Sequence, residues 1–126
     1  MEANSLKRDV EDQLFRWGKW AYINIDRMLG AKPPRFVLDM AIGYELDDRK
    51  AKLSRIYPMP EPEAVEFDKV VCKLKHLGDD YLLATVSYYV FHASLSDMDK
   101  ARRKGKHYHR RLKDESTTFL TGVVYG

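Results

Sequence analysis

A single cysteine, Cys72, in a chain of 126 residues excludes an internal disulfide and any zinc site assembled from several thiols. Long hydrophobic runs are also missing. No stretch of about 18 apolar residues occurs, so no membrane-spanning helix is expected. Glu2 and Asp9 stand where a secretory peptide would begin its apolar region, which points to the cytoplasm. Phosphate-binding glycine loops, internal repeats and low-complexity tracts are absent. Acidic residues are missing from one segment in particular. From Lys100 to Lys113 the chain has eight Lys or Arg and no Asp or Glu, and against a net charge of +3 this leaves the remainder at −5. One segment is composed for an anion.

What is present describes an ordinary globular chain, 44% hydrophobic and 33% charged, of a length suited to one domain. Leu6, Val10, Leu14, Trp17, Ala21, Ile25 and Met28 recur every three or four positions, the stripe of an amphipathic helix over residues 5–29. Gly30, Pro33 and Pro34 stop it, and residues 36–42 have the composition of a further short helix. The prolines between Tyr57 and Pro62 demand an extended segment, because each disfavours the helical region for the residue before it. This is the natural internal boundary, dividing an N-terminal part, 1–62, from a helical part, 63–126. Ala64, Phe67, Val71, Leu74 and Leu77 then keep helical spacing up to Gly78, and Asp79 or Asp80 can cap a mostly apolar helix through about Phe91. The fold class expected is all-α, a small domain of about five helices.

Residues 94–115 match the layout of a helix-turn-helix. Ser94 or Ser96 can cap a first short helix, and Leu95, Met98 and Ala101 share a face that would dock on the core. Gly105 suits a turn that requires positive φ. If Tyr108 and Leu112 point inward, then Lys106, His107, His109, Arg110 and Lys113 lie on exposed faces of the second helix, where they can meet base edges and phosphates. Lys104 and Arg111 complete the candidate DNA-binding set. With about six phosphates neutralised, affinity should fall by roughly 10³-fold between 50 and 200 mM salt.

Each feature also has a plainer reading. A basic run on a helix is usually a solvated face; here the turn glycine, the flanking apolar stripes and the absence of acid favour a function. His107 and His109, two apart on a helix, point to different sides with no third ligand nearby, so no metal and no cofactor are expected. The pairs Asp47-Asp48 and Asp79-Asp80 diverge for the same reason and suit caps or turns, and Cys72 sits on a packed face; nothing suggests an enzyme. Trp17 and Trp20 offer a possible aromatic partner surface, although at this spacing core and rim positions are commoner.

The segment Leu14-Phe-Arg-Trp17-Gly18-Lys-Trp20-Ala21, with Tyr88-Tyr89-Val90 leading into the helix-turn-helix, resembles the phage antitermination protein Q family. The resemblance covers about the first twenty-five residues and the last sixty, and the lack of clustered cysteines places it with a zinc-free branch. It implies a sigma-like helix-turn-helix that binds double-stranded DNA beside a late promoter. It further implies engagement of a paused bacterial RNA polymerase with its sigma factor, converting it to a terminator-resistant form. Lys106, His107, His109, Arg110 and Arg111 would then hold the recognition positions. Two alternatives stay open: a conventional helix-turn-helix repressor or activator, and a small phage protein that binds a host protein through the same basic helix.

Overall fold

The computed structural model describes residues 3–24 and 57–126. These form α1 (Ala3–Ile23), α2 (Glu61–Cys72) with a 3₁₀ extension (Lys73–His76), α3 (Asp79–Tyr89), α4 (Leu95–Ala101) and α5 (Tyr108–Tyr125). The class is all-α; no strand occurs among the described residues. No helix there is long and apolar enough to cross a membrane. Residues 25–29, the short helix at 36–42 and the Asp47-Asp48 pair lie outside the described residues.

Helix α1 buries the expected stripe: Val10, Leu14, Trp17 and Ala21 are fully covered. They meet Ala64, Phe67 and Val71 of α2, Val86 and Tyr89 of α3, and Leu120 of α5 in one continuous core. Trp17 donates its indole N–H to the buried carboxylate of Asp68 at 3.2 Å, so its polar edge is satisfied inside. Trp20 is buried as well, at 3% exposure. Neither tryptophan is available to a partner, which corrects the expectation of an aromatic docking surface: the spacing that placed both on α1 also turned both inward.

Helix α1 and α3 cross at Gly18. A Cβ on that residue would lie 2.1 Å from the carbonyl oxygen of Tyr89, so only glycine permits this approach. The start of α2 differs from the expected extended segment. Pro60 is the cap and Pro62 falls within the first turn, where a missing N–H costs no intrahelical bond. Gly78, at φ 141°, is the residue preceding α3, and Asp79 and Asp80 enter its first turn instead of capping it.

Helix α5 is the central element, packed against all the other helices. Its inward positions are His109, Leu112, Lys113, Ser116, Thr117 and Leu120, a regular helical stripe in which four of six residues are polar. Each of the polar ones is accommodated. Thr117 bonds the Tyr89 hydroxyl at 3.1 Å, and burial pushes that phenol well above its ordinary range. Ser116 reaches the carbonyl of Tyr81.

A candidate nucleic-acid interface

The connection between α4 and α5 is fixed by backbone bonds before any ligand is considered. Ser94 caps α4 by accepting the Asp97 N–H at 3.2 Å, as the sequence suggests. At the other end, the Arg103 N–H bonds the Lys100 carbonyl at 3.2 Å and the Lys104 N–H bonds the Asp99 carbonyl at 2.8 Å. This pair of bonds is a Schellman motif, and it puts Arg103, at φ 55°, in the left-handed position usually taken by glycine. Gly105 does not have positive φ, and a Cβ there would meet nothing within 4 Å. The expected role of Gly105 therefore belongs to Arg103 and, at φ 66°, to His107.

Helix α5 has no cap of its own; His107 makes no capping bond through its side chain. The cap comes from α4. Asp99 Oδ1 accepts the His109 backbone N–H at 2.9 Å and lies 2.6 Å from His109 Nδ1. A carboxylate held at a helix N-terminus satisfies orphan amides and opposes the positive end of the helix dipole. Burial alone would raise the Asp99 carboxyl, but the bonds from His109 outweigh it and hold the group below the usual carboxylate range.

The network continues beyond the histidine. His109 Nε2 lies 2.8 Å from Arg102 Nη1, and since a guanidinium can only donate, Nε2 accepts and the ring proton sits on Nδ1, toward Asp99. Arg102 Nη2 then donates to Asp80 Oδ1 at 2.9 Å, and the Tyr108 hydroxyl donates to Asp80 Oδ2 at 2.7 Å. The Tyr108 bond, with help from Arg102, lowers the Asp80 carboxyl against a smaller effect of burial; the same bond raises the Tyr108 phenol. Asp80 is thus a structural anchor that ties the start of α3 to the start of α5.

These contacts correct two of the expected DNA-binding residues. His109 is fully buried between Asp99 and Arg102. Lys113, at 8% exposure, has its ammonium 4.5 Å from the Tyr88 ring centroid and 2.8 Å from Asp114. Both face inward because the phase of α5 is set by its polar stripe and not by Tyr108, which is only half-buried. Ala101, expected against the core, is exposed. Lys104, Lys106, His107, Arg110 and Arg111 are all exposed, and the structure adds Lys100 and Arg103 to the same edge. Arg111 lies 5.8 Å from the Tyr108 ring centroid and Lys104 5.2 Å, so that ring braces two of the cations from one side.

Beside this edge a half-open cleft of about 850 Å³ runs between α1, the end of α3 and the α4–α5 turn. Phe15, Tyr88, His92 and Leu95 form its inner surface. His92, at φ 52°, lies stacked on Phe15 with ring centroids 5.8 Å apart. Lys100, Lys104, Lys106 and Arg110 line the mouth. No group of three or more His, Cys, Asp or Glu that could hold a metal ion occurs among the described residues. Cys72 is half-buried, and burial, then the nearby Asp68, pushes its thiol up, away from the reactive thiolate.

Compared with protein-family models, with curated proteins and with solved structures, the chain matches none of the three.

Proposed function

We propose that this protein binds double-stranded DNA through the exposed basic edge formed by the α4–α5 turn and the first turn of α5. The observation that carries the reading is the company these cations keep. Lys100, Arg103, Lys104, Lys106, Arg110 and Arg111 are all exposed, no carboxylate stands between residues 100 and 111, and among the ion pairs of the described residues Arg111 alone of the six meets one, Glu115 at 3.9 Å. The one buried carboxylate beneath, Asp99, is already committed to His109.

The mode of binding differs from a recognition helix lying along the major groove. Helix α5 is central to the bundle, and Asp114 and Glu115 follow Arg110 and Arg111 on its outer side, where they would repel phosphate. On this reading the turn meets the backbone, and Arg110 and Arg111 are the side chains that would reach a base edge. Phosphate contacts made this way fix orientation and carry little sequence information.

Fluorescence anisotropy with a labelled duplex tests the reading. Six cations engaged at phosphates should weaken binding by roughly 10³-fold between 50 and 200 mM salt. Weak binding without salt dependence would overturn it and favour an acidic protein surface as the partner. The narrower reading, antitermination on a sigma-bound polymerase, rests on the resemblance stated above. Transcription from a late promoter through a terminator tests that: read-through must rise while initiation is unchanged, whereas altered initiation alone would favour a conventional repressor or activator.

A further inference from the structure

The cleft beside the basic edge has a polarity of its own. Its inner surface is aromatic, from Phe15, Tyr88 and His92, with Leu95 beside them. Its mouth is cationic. At about 850 Å³ it falls in the range of small-ligand sites, roughly 300–1,000 Å³. The only carboxylate on its lining is Asp99, whose Oδ1 takes two bonds from His109. The cleft therefore offers flat rings with exposed cations beside them, and one buried cation, Lys113, whose ammonium lies 4.5 Å from the Tyr88 ring centroid.

We infer that this cleft takes a nucleotide, with the base against the Phe15, Tyr88 and His92 surface and the phosphate at Lys104, Lys106 and Arg110. A flat heterocycle suits aromatic walls because every base has a π-face, so stacking needs no sequence-specific donor or acceptor. A phosphate suits several exposed cations at a mouth better than a single carboxylate would. An aliphatic anion fits less well, since Leu95 is the one aliphatic side chain of appreciable size on the lining.

The backbone adds a second observation. His92, Arg103 and His107 all adopt left-handed conformations, and these are all the non-glycine residues with positive φ among the described residues. His92 and His107 line the cleft, and Arg103 precedes its Lys104.

The inference rests on the reading of the same edge as a nucleic-acid surface. Two sources could supply the ligand: a nucleotide unstacked from a strand, or a free mononucleotide. Amide chemical-shift titrations of the full chain at 150 mM salt decide the matter, using dAMP, deoxyadenosine, inorganic phosphate, decanoate and a single-stranded hexadeoxyadenylate as probes. Expected are saturable shifts at His92, Leu95 and Lys106 with dAMP, and binding at least ten-fold weaker with deoxyadenosine and with phosphate. Phosphate equal to dAMP would overturn the inference, as would decanoate binding more tightly or shifts confined to other surfaces.

If the hexamer binds at least ten-fold more tightly than dAMP at the same amides, the source is a strand; equal affinity assigns a free nucleotide. The substitution Ser96→Trp separates this inference from the duplex reading. Ser96 is exposed on the cleft wall, and a tryptophan there would fill the space while leaving every cation in place. Ser96→Trp should lose at least ten-fold in dAMP affinity with duplex binding and thermal stability unchanged. Unchanged dAMP affinity in a folded Ser96→Trp protein would overturn the cleft assignment alone. Lys106→Ala with Arg110→Ala should weaken both ligands, and dAMP binding unaffected by that pair would also refute the site.

Discussion

Replacing Gly18 by alanine should destabilise the protein, although alanine is the better helix former. The added methyl would sit 2.1 Å from the Tyr89 carbonyl oxygen and 2.8 Å from its carbon, and both are backbone atoms that no rotamer change can move. Relief requires α1 and α3 to part by roughly 1 Å, and a gap of that size forfeits about a quarter to a half of the attraction between facing atoms. Overpacking of this kind costs about 1–3 kcal/mol and sometimes more, against a gain of about 1 kcal/mol from replacing glycine inside a helix. With the clash on rigid backbone, a net loss of about 2 kcal/mol is expected, or a fall in Tm of roughly 8 °C for a domain of this size. Gly122 is the matched control. A Cβ there meets nothing within 4 Å, so Gly122→Ala should stabilise by about 0.5–1 kcal/mol through propensity alone. Thermal and urea unfolding followed by far-UV circular dichroism measures both. A Gly18→Ala protein as stable as the parent would refute the close crossing.

Arg103→Gly should raise stability by about 1 kcal/mol, because it relieves a left-handed arginine, and should at the same time lower duplex affinity and reduce its salt slope. A stability loss in urea unfolding would contradict the assignment of Arg103 as the turn residue. Asp99→Ala strips the cap from α5 and leaves the buried His109 donors without their acceptor, so a loss of about 2–4 kcal/mol is expected by the same measurement. A loss below about 0.5 kcal/mol would mean that water or another group substitutes for the carboxylate. Asp80 and Asp99 both titrate below the usual 3.8 in the folded chain, so their stabilisation is complete above that value and disappears as pH falls through the folded values. Tm followed from pH 7 downward should show their contribution intact to about pH 5 and declining progressively below about pH 4, and Asp80→Asn with Asp99→Asn should flatten that acid limb.

The core of α1 was legible because its buried positions are apolar, so Val10, Leu14, Trp17 and Ala21 announce their face by spacing alone. The cap of α4 follows a local rule that allows Ser94 or Ser96, and the structure uses Ser94. Helix α5 defeats the same method. Its inward stripe is as regular as that of α1, but it is written largely in His, Lys, Ser and Thr, whose burial depends on partners far away in sequence. Asp99 and Tyr89 supply those partners, and nothing local to residues 108–120 indicates them. The i, i+4 spacing with Leu112 predicts an inward Tyr108, yet the ring is only half-buried and its hydroxyl reaches out to Asp80. The run of basic residues is visible in the sequence without any fold, and five of its seven candidate side chains are exposed. Which cations would be spent internally was not visible: Arg102 on Asp80, and Lys113 on Tyr88 and Asp114. Gly18 stands out in the sequence only as part of a motif, because an approach between two helices leaves no trace in the periodicity of either.

The chain of bonds from Asp99 through His109 and Arg102 to Asp80 and Tyr108 bears on how a ligand would be met. It holds the backbone under the basic turn in a single arrangement before any anion arrives. A phosphate strand reaching this edge would have to immobilise only the outer ends of lysine and arginine side chains, at about 0.5–1.5 kcal/mol each, with no loop to order. Association should accordingly be fast and limited by diffusion and charge, and variation in affinity among ligands should appear mainly in how quickly they leave.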